Sequence, residues 1–337
     1  MASEPSRERD EERASGVPNT SPLVSVVVPT YGREPAQFRA AIESVREQTY
    51  EPLELVVVDD SPAGVSDWVT ELDEFTRVER ACDGDHAGAA DARNTGIWLA
   101  DGEFIAFLDD DDTWYPEKTA RQVAAFEESP DDIGVVYTAL EHVRDEDGRV
   151  LNRSDAAVTG DVTRDILTGS LLGTFSTLMV RASLVPKAGF VDRRLPILED
   201  REWCLRLSRH CRFKSIRDPL VQYRRGDHEQ LTDGFEQLRD VSVPRFERKH
   251  SELAASFGPD CKRGFLCSLQ RVCAASALSS ERYAEARRHA TRALRYQPTD
   301  RRAWMYLLAA LGGRHTHGPL RSLRRGIHGL LTRFRGR

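Results

Sequence analysis

No stretch of this chain is apolar for long enough to cross a bilayer, no two cysteines form a CxxC pair, and past Asp300 there is neither a lysine nor an acid. Each absence closes off a class of protein. A membrane-crossing helix needs about 20 successive apolar residues, and no segment here qualifies. Residues 1–21 are polar, carry charge of both signs and lack the apolar core of a signal peptide, so they read as a disordered tail. Six cysteines (Cys82, Cys204, Cys211, Cys261, Cys267, Cys273) have no Cys or His partner at zinc spacing. Reduced, packed thiols are therefore expected, with no disulfide framework. Cys261, Cys267 and Cys273 recur every six residues, a period that does not hold one helical face. The missing acids leave nine arginines unopposed, so the net charge of −6 divides into +9 over residues 301–337 and −15 over residues 1–300. An acidic body of that kind is compatible with a high-salt cytoplasm.

What is present points to chemistry. Leu23 to Val28 is a Val-rich run ending in Pro29-Thr30-Tyr31-Gly32-Arg33, and Leu53 to Val58 is another ending in Asp59-Asp60-Ser61. A third, Phe104 to Leu108, ends in four consecutive aspartates, Asp109 to Asp112, followed by Thr113-Trp114-Tyr115-Pro116. Short continuous apolar runs fit strands buried on both faces of a parallel sheet. Between the first two, Pro35 to Gln48 places Phe38, Ala41, Ile42 and Val45 at helical spacing. Strand, helix, strand is the βαβ unit of α/β folds, whose ligands bind outside the carboxyl ends of the strands. Three strand ends thus bring Thr30-Tyr31, Asp59-Asp60 and Asp109–Asp111 to one crevice. Crowded carboxylates repel one another and are costly to desolvate without a cation. Oxygen ligands on a short loop suit Mg²⁺ or Mn²⁺ shared with nucleotide phosphates. A solvated acidic loop is the competing reading; the strand before the run and the aromatic-proline turn after it favour the metal.

These pieces resemble the family 2 glycosyltransferases of the GT-A fold. The resemblance rests on Val-Val-Val-Pro-Thr-Tyr, Val-Val-Val-Asp-Asp-Ser, Ala92-Arg93-Asn94-Thr95-Gly96, the segment from Asp101 through the acid run to Pro116, and Leu198-Glu199-Asp200-Arg201-Glu202-Trp203-Cys204-Leu205-Arg206-Leu207. It covers residues 22 to 230 or so, and its strength lies in five weak motifs in the right order. It implies a Rossmann-like, mostly parallel sheet flanked by helices, and inverting transfer of a sugar from a nucleotide-sugar donor to an acceptor hydroxyl or phosphate.

By resemblance, Pro29, Thr30 and Tyr31 line the base pocket and Asp60 accepts a hydrogen bond from the base; uridine is favoured over guanosine. Arg93 and Asn94 are read as starting a turn near the donor, where a guanidinium neutralises phosphate charge; a surface ion pair is the alternative for Arg93. Asp109 and Asp111 match the outer members of the DxD motif, Asp111 being the foremost metal ligand and Asp110 facing the ribose. Glu199-Asp200 matches the acidic pair that supplies the general base. Asp200 is the first choice and Glu199 the alternative, while a helix-capping role competes for Asp200. Tyr223 to His228 resembles a late segment that closes over the diphosphate, making His228 a candidate for metal or phosphate against a plain loop histidine. Gly32 departs from the Asn common in relatives, and Asp112 is an additional acid. Without Gln-x-x-Arg-Trp the reading is one sugar per encounter, and without Gly-x-Gly-Thr-Arg a nucleotidyltransferase is disfavoured. The sugar is expected to be read by loops at 145–155 and 167–176.

The division expected is a tail at 1–21, the GT-A domain at 22–235, a helical region at 236–312 and a basic tail at 313–337. Helices are expected over Cys261–Leu278, Glu281–Tyr296 and Arg301–Leu311. Tyr283 to Pro298 resembles part of a tetratricopeptide repeat, too little for an array, so packing on the catalytic domain is expected. From Pro319, the apolar residues Leu320, Leu323, Ile327, Leu330, Leu331 and Phe334 form a helical stripe among arginines. Residues 319–335 offer a peripheral contact with an anionic membrane; docking on the protein itself competes, and nucleic acid is excluded for want of a reading module. Lipid-linked acceptors are common in the resembled family, with glycans and proteins as other acceptors, so a cytoplasmic enzyme at the membrane face is coherent. The rival class is a noncatalytic sugar-nucleotide-binding or partner-docking protein.

Overall fold

The computed structural model describes residues 21–61, 76–80, 88–170, 173–225 and 234–313. His228, residues 1–20 and residues 314–337 lie outside the described residues, and with them the readings placed there.

The three apolar runs are neighbouring parallel strands. β1 (Val24–Thr30) is buried at every position and pairs in parallel with β2 (Leu53–Asp59) on one side and β4 (Phe104–Phe107) on the other. β3 (Thr76–Arg80) extends the parallel set beyond β2. The linking helix α1 (Pro35–Arg46) starts with proline at its first turn, where no amide partner is lost, and Glu34 accepts hydrogen bonds from the amides of Ala36 and Gln37. Its buried face is Phe38, Ala41, Ile42 and Val45, the spacing expected.

The second half of the sheet is mixed. β8 (Leu178–Arg181) runs antiparallel to β4, and the long β6 (Ile133–Arg144) runs antiparallel to β8. β9 (Arg212–Arg225) returns parallel to β6, the two-residue β5 (Thr113–Trp114) closes the edge, and β7 (Val150–Ser154) hangs from β6. The order is β3-β2-β1-β4-β8-β6-β9-β5, so the mostly parallel description holds from β3 to β4 and gives way to mixed pairings beyond β4.

Alternate side chains of β1 feed two cores. Val26 and Val28 pack with Phe38, Ile42, Phe104, Trp114 and Phe126, beneath α1 and α3 (Lys118–Glu127). Val27 faces the other way, with Ile105, Phe107, Tyr137, Trp203, Phe246 and Phe265. That second core runs without a break from the sheet through α4 (Thr163–Thr168) and α5 (Glu199–Leu207) into the C-terminal helices α6 (Val243–Ser256), α7 (Pro259–Ser279), α8 (Tyr283–Tyr296) and α9 (Arg301–Leu311). Packing against the sheet assembly thus replaces any repeat array. The six-residue cysteine period makes sense inside α7, which is buried on more than one side. Cys261 and Cys273 join the large core, and Cys267 joins a smaller one with Ala293, Leu294 and Ala303. Cys204, Cys211, Cys261, Cys267 and Cys273 are all unpaired.

Candidate active site

Parallel strand order places the site. The chain reverses its direction of sheet growth between β1 and β4, and a crevice opens at such a switch point. Two bonds close its floor: the amide of Asp60 donates to the Thr30 carbonyl (2.9 Å), and the amide of Leu108 donates to the Val27 carbonyl (3.0 Å). The acids at the three strand ends therefore share one rim.

Their side chains alternate in exposure. Asp110 and Asp112 are turned inward, with the residues 6% and 0% exposed, whereas the Asp109 and Asp111 side chains keep 24% and 17% of their surface. Asp110 accepts from Thr30 Oγ1 (2.7 Å) and Arg33 Nε (2.8 Å), so it ties the β4 end to the β1 end. Arg33 also reaches Asp111 at 3.2 Å. Burial acts against the Arg33 charge, but Asp110 and Asp111 more than offset it and hold its pKa above the ordinary value. Asp112 accepts from Ser176 Oγ (2.6 Å) and the Arg224 amide (3.2 Å). Burial first, then the charges of Asp111 and Asp109, push its carboxyl well above the usual range. Ser176 also accepts from the Asp109 amide at 3.1 Å, so one hydroxyl braces both ends of the acid run.

Arg93 is not in a turn. It lies in the middle of α2 (Ala89–Leu99), which opens at Gly88 with φ +93. Gly96 lets α2 lie against β1; a Cβ there would collide with the Val27 side chain. Buried to 4%, Arg93 donates Nη2 to Asp109 (2.6 Å) and Nη1 to Glu199 (3.3 Å), with its guanidinium 4.2 Å from the Phe175 ring centroid. Burial alone would lower its pKa, but Asp109 and Glu199 reverse the shift. One cation thus links the acid run to the acidic pair.

Glu199 and Asp200 occupy the first turn of α5, where the helix dipole favours carboxylates. The chain enters through Leu198 at φ +72, an uncommon conformation for a non-glycine residue and one that clusters at functional sites. Trp203, one turn on, anchors the helix by donating Nε1 to the Gly189 carbonyl and packing edge-on to Phe107. Burial and the neighbouring Asp200 raise the Glu199 pKa to about 7, against the opposing pull of Arg93. Asp200 is raised as well, chiefly by burial, and its carboxylate accepts from the Arg201 amide at 2.6 Å.

The remaining candidates divide. Pro29 and Thr30 end β1, and Tyr31, just beyond, is 52% exposed. Asp60 Oδ2 accepts from the Gly88 amide (2.7 Å), joining β2 to the start of α2. Asn94 points elsewhere: its amide both donates to the Val191 carbonyl (2.9 Å) and accepts from the Val191 amide (2.8 Å). With Asp91, Thr95 and Trp98 it lines a cavity of about 840 Å³, on the face of α2 opposite Arg93 by helical geometry. Arg33, Ser176 and Asp112 were not assigned roles from sequence. Arg33 could have been flagged as the cation in the β1 turn, and Ser176 lies in a segment already suspected of reading the sugar.

Among the described residues no three His, Cys, Asp or Glu side chains converge to hold a metal unaided. Asp109 and Asp111, each beside an arginine, keep part-exposed carboxylate oxygens of the hard type that Mg²⁺ and Mn²⁺ take. Mg²⁺ commonly takes one or two carboxylates plus substrate phosphates.

An α/β sheet with a strand-end acid rim, joined through one guanidinium to a helix-borne acidic pair, is an architecture of the GT-A kind. Residues 25–182 match glycosyl transferase family 2. It is 28% identical over 207 residues to an uncharacterized glycosyltransferase of Haemophilus influenzae, covering 59% of this chain and 67% of that protein. Against the UDP-Glc:alpha-D-GlcNAc-diphosphoundecaprenol beta-1,3-glucosyltransferase WfgD of Escherichia coli, identity is 40% over 102 residues, 30% of this chain and 40% of that one. The chain thus spans well under half the length of several curated relatives. Among solved structures, S. aureus TarS 1-349 in complex with UDP-GlcNAc superposes with a TM-score of 0.53 at 18% identity, covering 86% of this chain and 92% of that one, a likeness of fold.

Proposed function

We propose that the protein is an inverting, non-processive glycosyltransferase that moves one sugar from a nucleoside diphosphate sugar, with UDP favoured, to an acceptor hydroxyl or phosphate. The observation that carries this reading is Arg93, which binds Asp109 of the acid run and Glu199 of the acidic pair together. A protein that only docked partners would have no use for a buried cation holding those two groups in register.

In this reading Pro29, Thr30 and Tyr31 receive the base and Asp60 accepts its N–H. Asp109 and Asp111 would hold Mg²⁺ or Mn²⁺, which when bound offsets the diphosphate charge as the leaving group departs. Asp200 takes the proton from the acceptor. The acceptor oxygen bonds to the anomeric carbon, the bond to the diphosphate oxygen breaks with its electron pair, and the proton ends on the Asp200 carboxylate. A base raised above the ordinary carboxylate range is better matched to that task near neutral pH. Glu199, tied to Arg93, serves to position the pair.

The E. coli relative is named for an acceptor carried on diphosphoundecaprenol, which supports a lipid-linked acceptor for this chain too. No described helix is long and apolar enough to cross a membrane. Residues 319–335 are proposed as a peripheral contact at the cytoplasmic face. The experiment is metal-dependent UDP release from a panel of UDP-sugars with lipid-linked acceptors. Release that survives Asp200→Asn undiminished would overturn the assignment.

A further inference from the structure

The final described helix is apolar on the wrong side. α9 turns Ala303, Ala309 and Ala310 into the protein, while Trp304, Leu308 and Leu311 stand 48%, 59% and 62% exposed. Those three fall at i, i+4 and i+7 and so share one face. Folding alone favours burying the large apolar side chains of a helix, since they remove more surface from water than alanine does. The indole of Trp304 is held in place by its own Nε1, which donates to the Pro298 carbonyl (2.8 Å). Arg301 and Arg302, both exposed, open the same helix, and from Arg301 to the last residue there are nine arginines and no acid.

We infer that this face docks on an anionic lipid bilayer. It adds a folded surface to the membrane contact proposed for residues 319–335 and stands independently of the glycosyl-transfer reading. The occupant must be apolar at its centre and negative around it. The chain's own 319–335 segment would bring further arginines onto an arginine-flanked helix. Nucleic acid supplies the charge but nothing for two leucines. An anionic membrane interface supplies both, with tryptophan at its preferred depth and arginines against the headgroups.

The test is co-sedimentation of the full-length protein with vesicles of phosphatidylcholine alone or with a quarter phosphatidylglycerol. Wild type is expected to bind the anionic vesicles, and Trp304→Ser/Leu308→Ser/Leu311→Ser in the full chain to bind them at least tenfold more weakly with UDP release unchanged. Arg301→Glu/Arg302→Glu provides a second variant, with the same loss expected. Brominated lipid should quench wild-type fluorescence more than that of Trp304→Phe. Equal binding by the triple variant would overturn the inference in favour of the C-terminal segment alone. Absence of wild-type binding would overturn it outright. A wild-type dimer that the triple variant makes monomeric would overturn it in favour of self-association.

Discussion

Asp109 and Asp111 keep part of their surface in solvent while Asp110 and Asp112 are enclosed, and this alternation separates what substitutions at the four positions should do. Asp111→Ala is expected to abolish donor binding, read by calorimetry with Mn²⁺ and a UDP-sugar. Asp200→Asn should leave that binding intact and lower turnover by about 10²- to 10⁴-fold, the usual worth of a general base. The pH dependence follows from the acidic pair. Burial and the neighbouring Asp200 push the Glu199 pKa up to about 7 in the folded chain, against an ordinary value of 4.5. Asp200, the proton acceptor, is also raised by burial, so turnover should fall as acid protonates it. Stability moves the opposite way. Between those two pKa values the folded state binds more protons than the unfolded one, so folding stability falls as pH rises, by at most about 3 kcal/mol at 1.36 kcal/mol per unit. Denaturant melts at pH 5 and pH 8 should show that slope in wild type and a smaller one in Glu199→Gln. Much of the site could be read at this scale, because strand ends announce themselves by apolar runs that stop in acids. Asp112 could not be read: only the fold shows that Ser176 and the Arg224 amide enclose it.

At the scale of elements, motif reading failed where one residue type serves two purposes. Arg93 and Asn94 read as the start of a turn, where asparagine is common. In the structure Gly96 gives a helix close access to Val27, and Asn94 clips the loop at Val191 that leads to α5. Asn94→Ala removes two hydrogen bonds and is expected to cost about 1–3 kcal/mol. It should also lower turnover more than donor affinity, because the loop it releases leads into the helix turn that carries Glu199 and Asp200; kcat set beside calorimetric Kd would show this. β1, β2, β4 and α1 were legible because strands covered on both faces are continuously apolar and an amphipathic helix keeps its spacing. β9 was not. Its run Arg-Phe-Lys-Ser-Ile-Arg-Asp-Pro-Leu-Val-Gln-Tyr-Arg-Arg carries the charge of a surface segment, and it enters the sheet only because β6 offers a long parallel neighbour.

Over the whole molecule, the core that holds Trp203 against Phe107 is the same one that holds Phe265 of α7 and Ala309 of α9. Sheet and C-terminal helices should therefore melt in one transition, and Phe265→Ala should lower the stability of all of it by about 3–5 kcal/mol, seen as a single shifted Tm by calorimetry. The tie is polar as well as apolar. Arg201, next to Asp200, sends its guanidinium to the carbonyls of Ile166 and Leu167 and to Ser268 Oγ of α7. Burial lowers its pKa to about 10, with Arg271 adding to the effect. That arrangement sets a boundary on engineering. The helices past residue 234 cannot be exchanged like a cassette for those of another transferase, because the recipient would inherit a stranded guanidinium one position from its acidic pair. Any graft that keeps the chemistry has to carry Ser268, or a hydroxyl in its place, along with it.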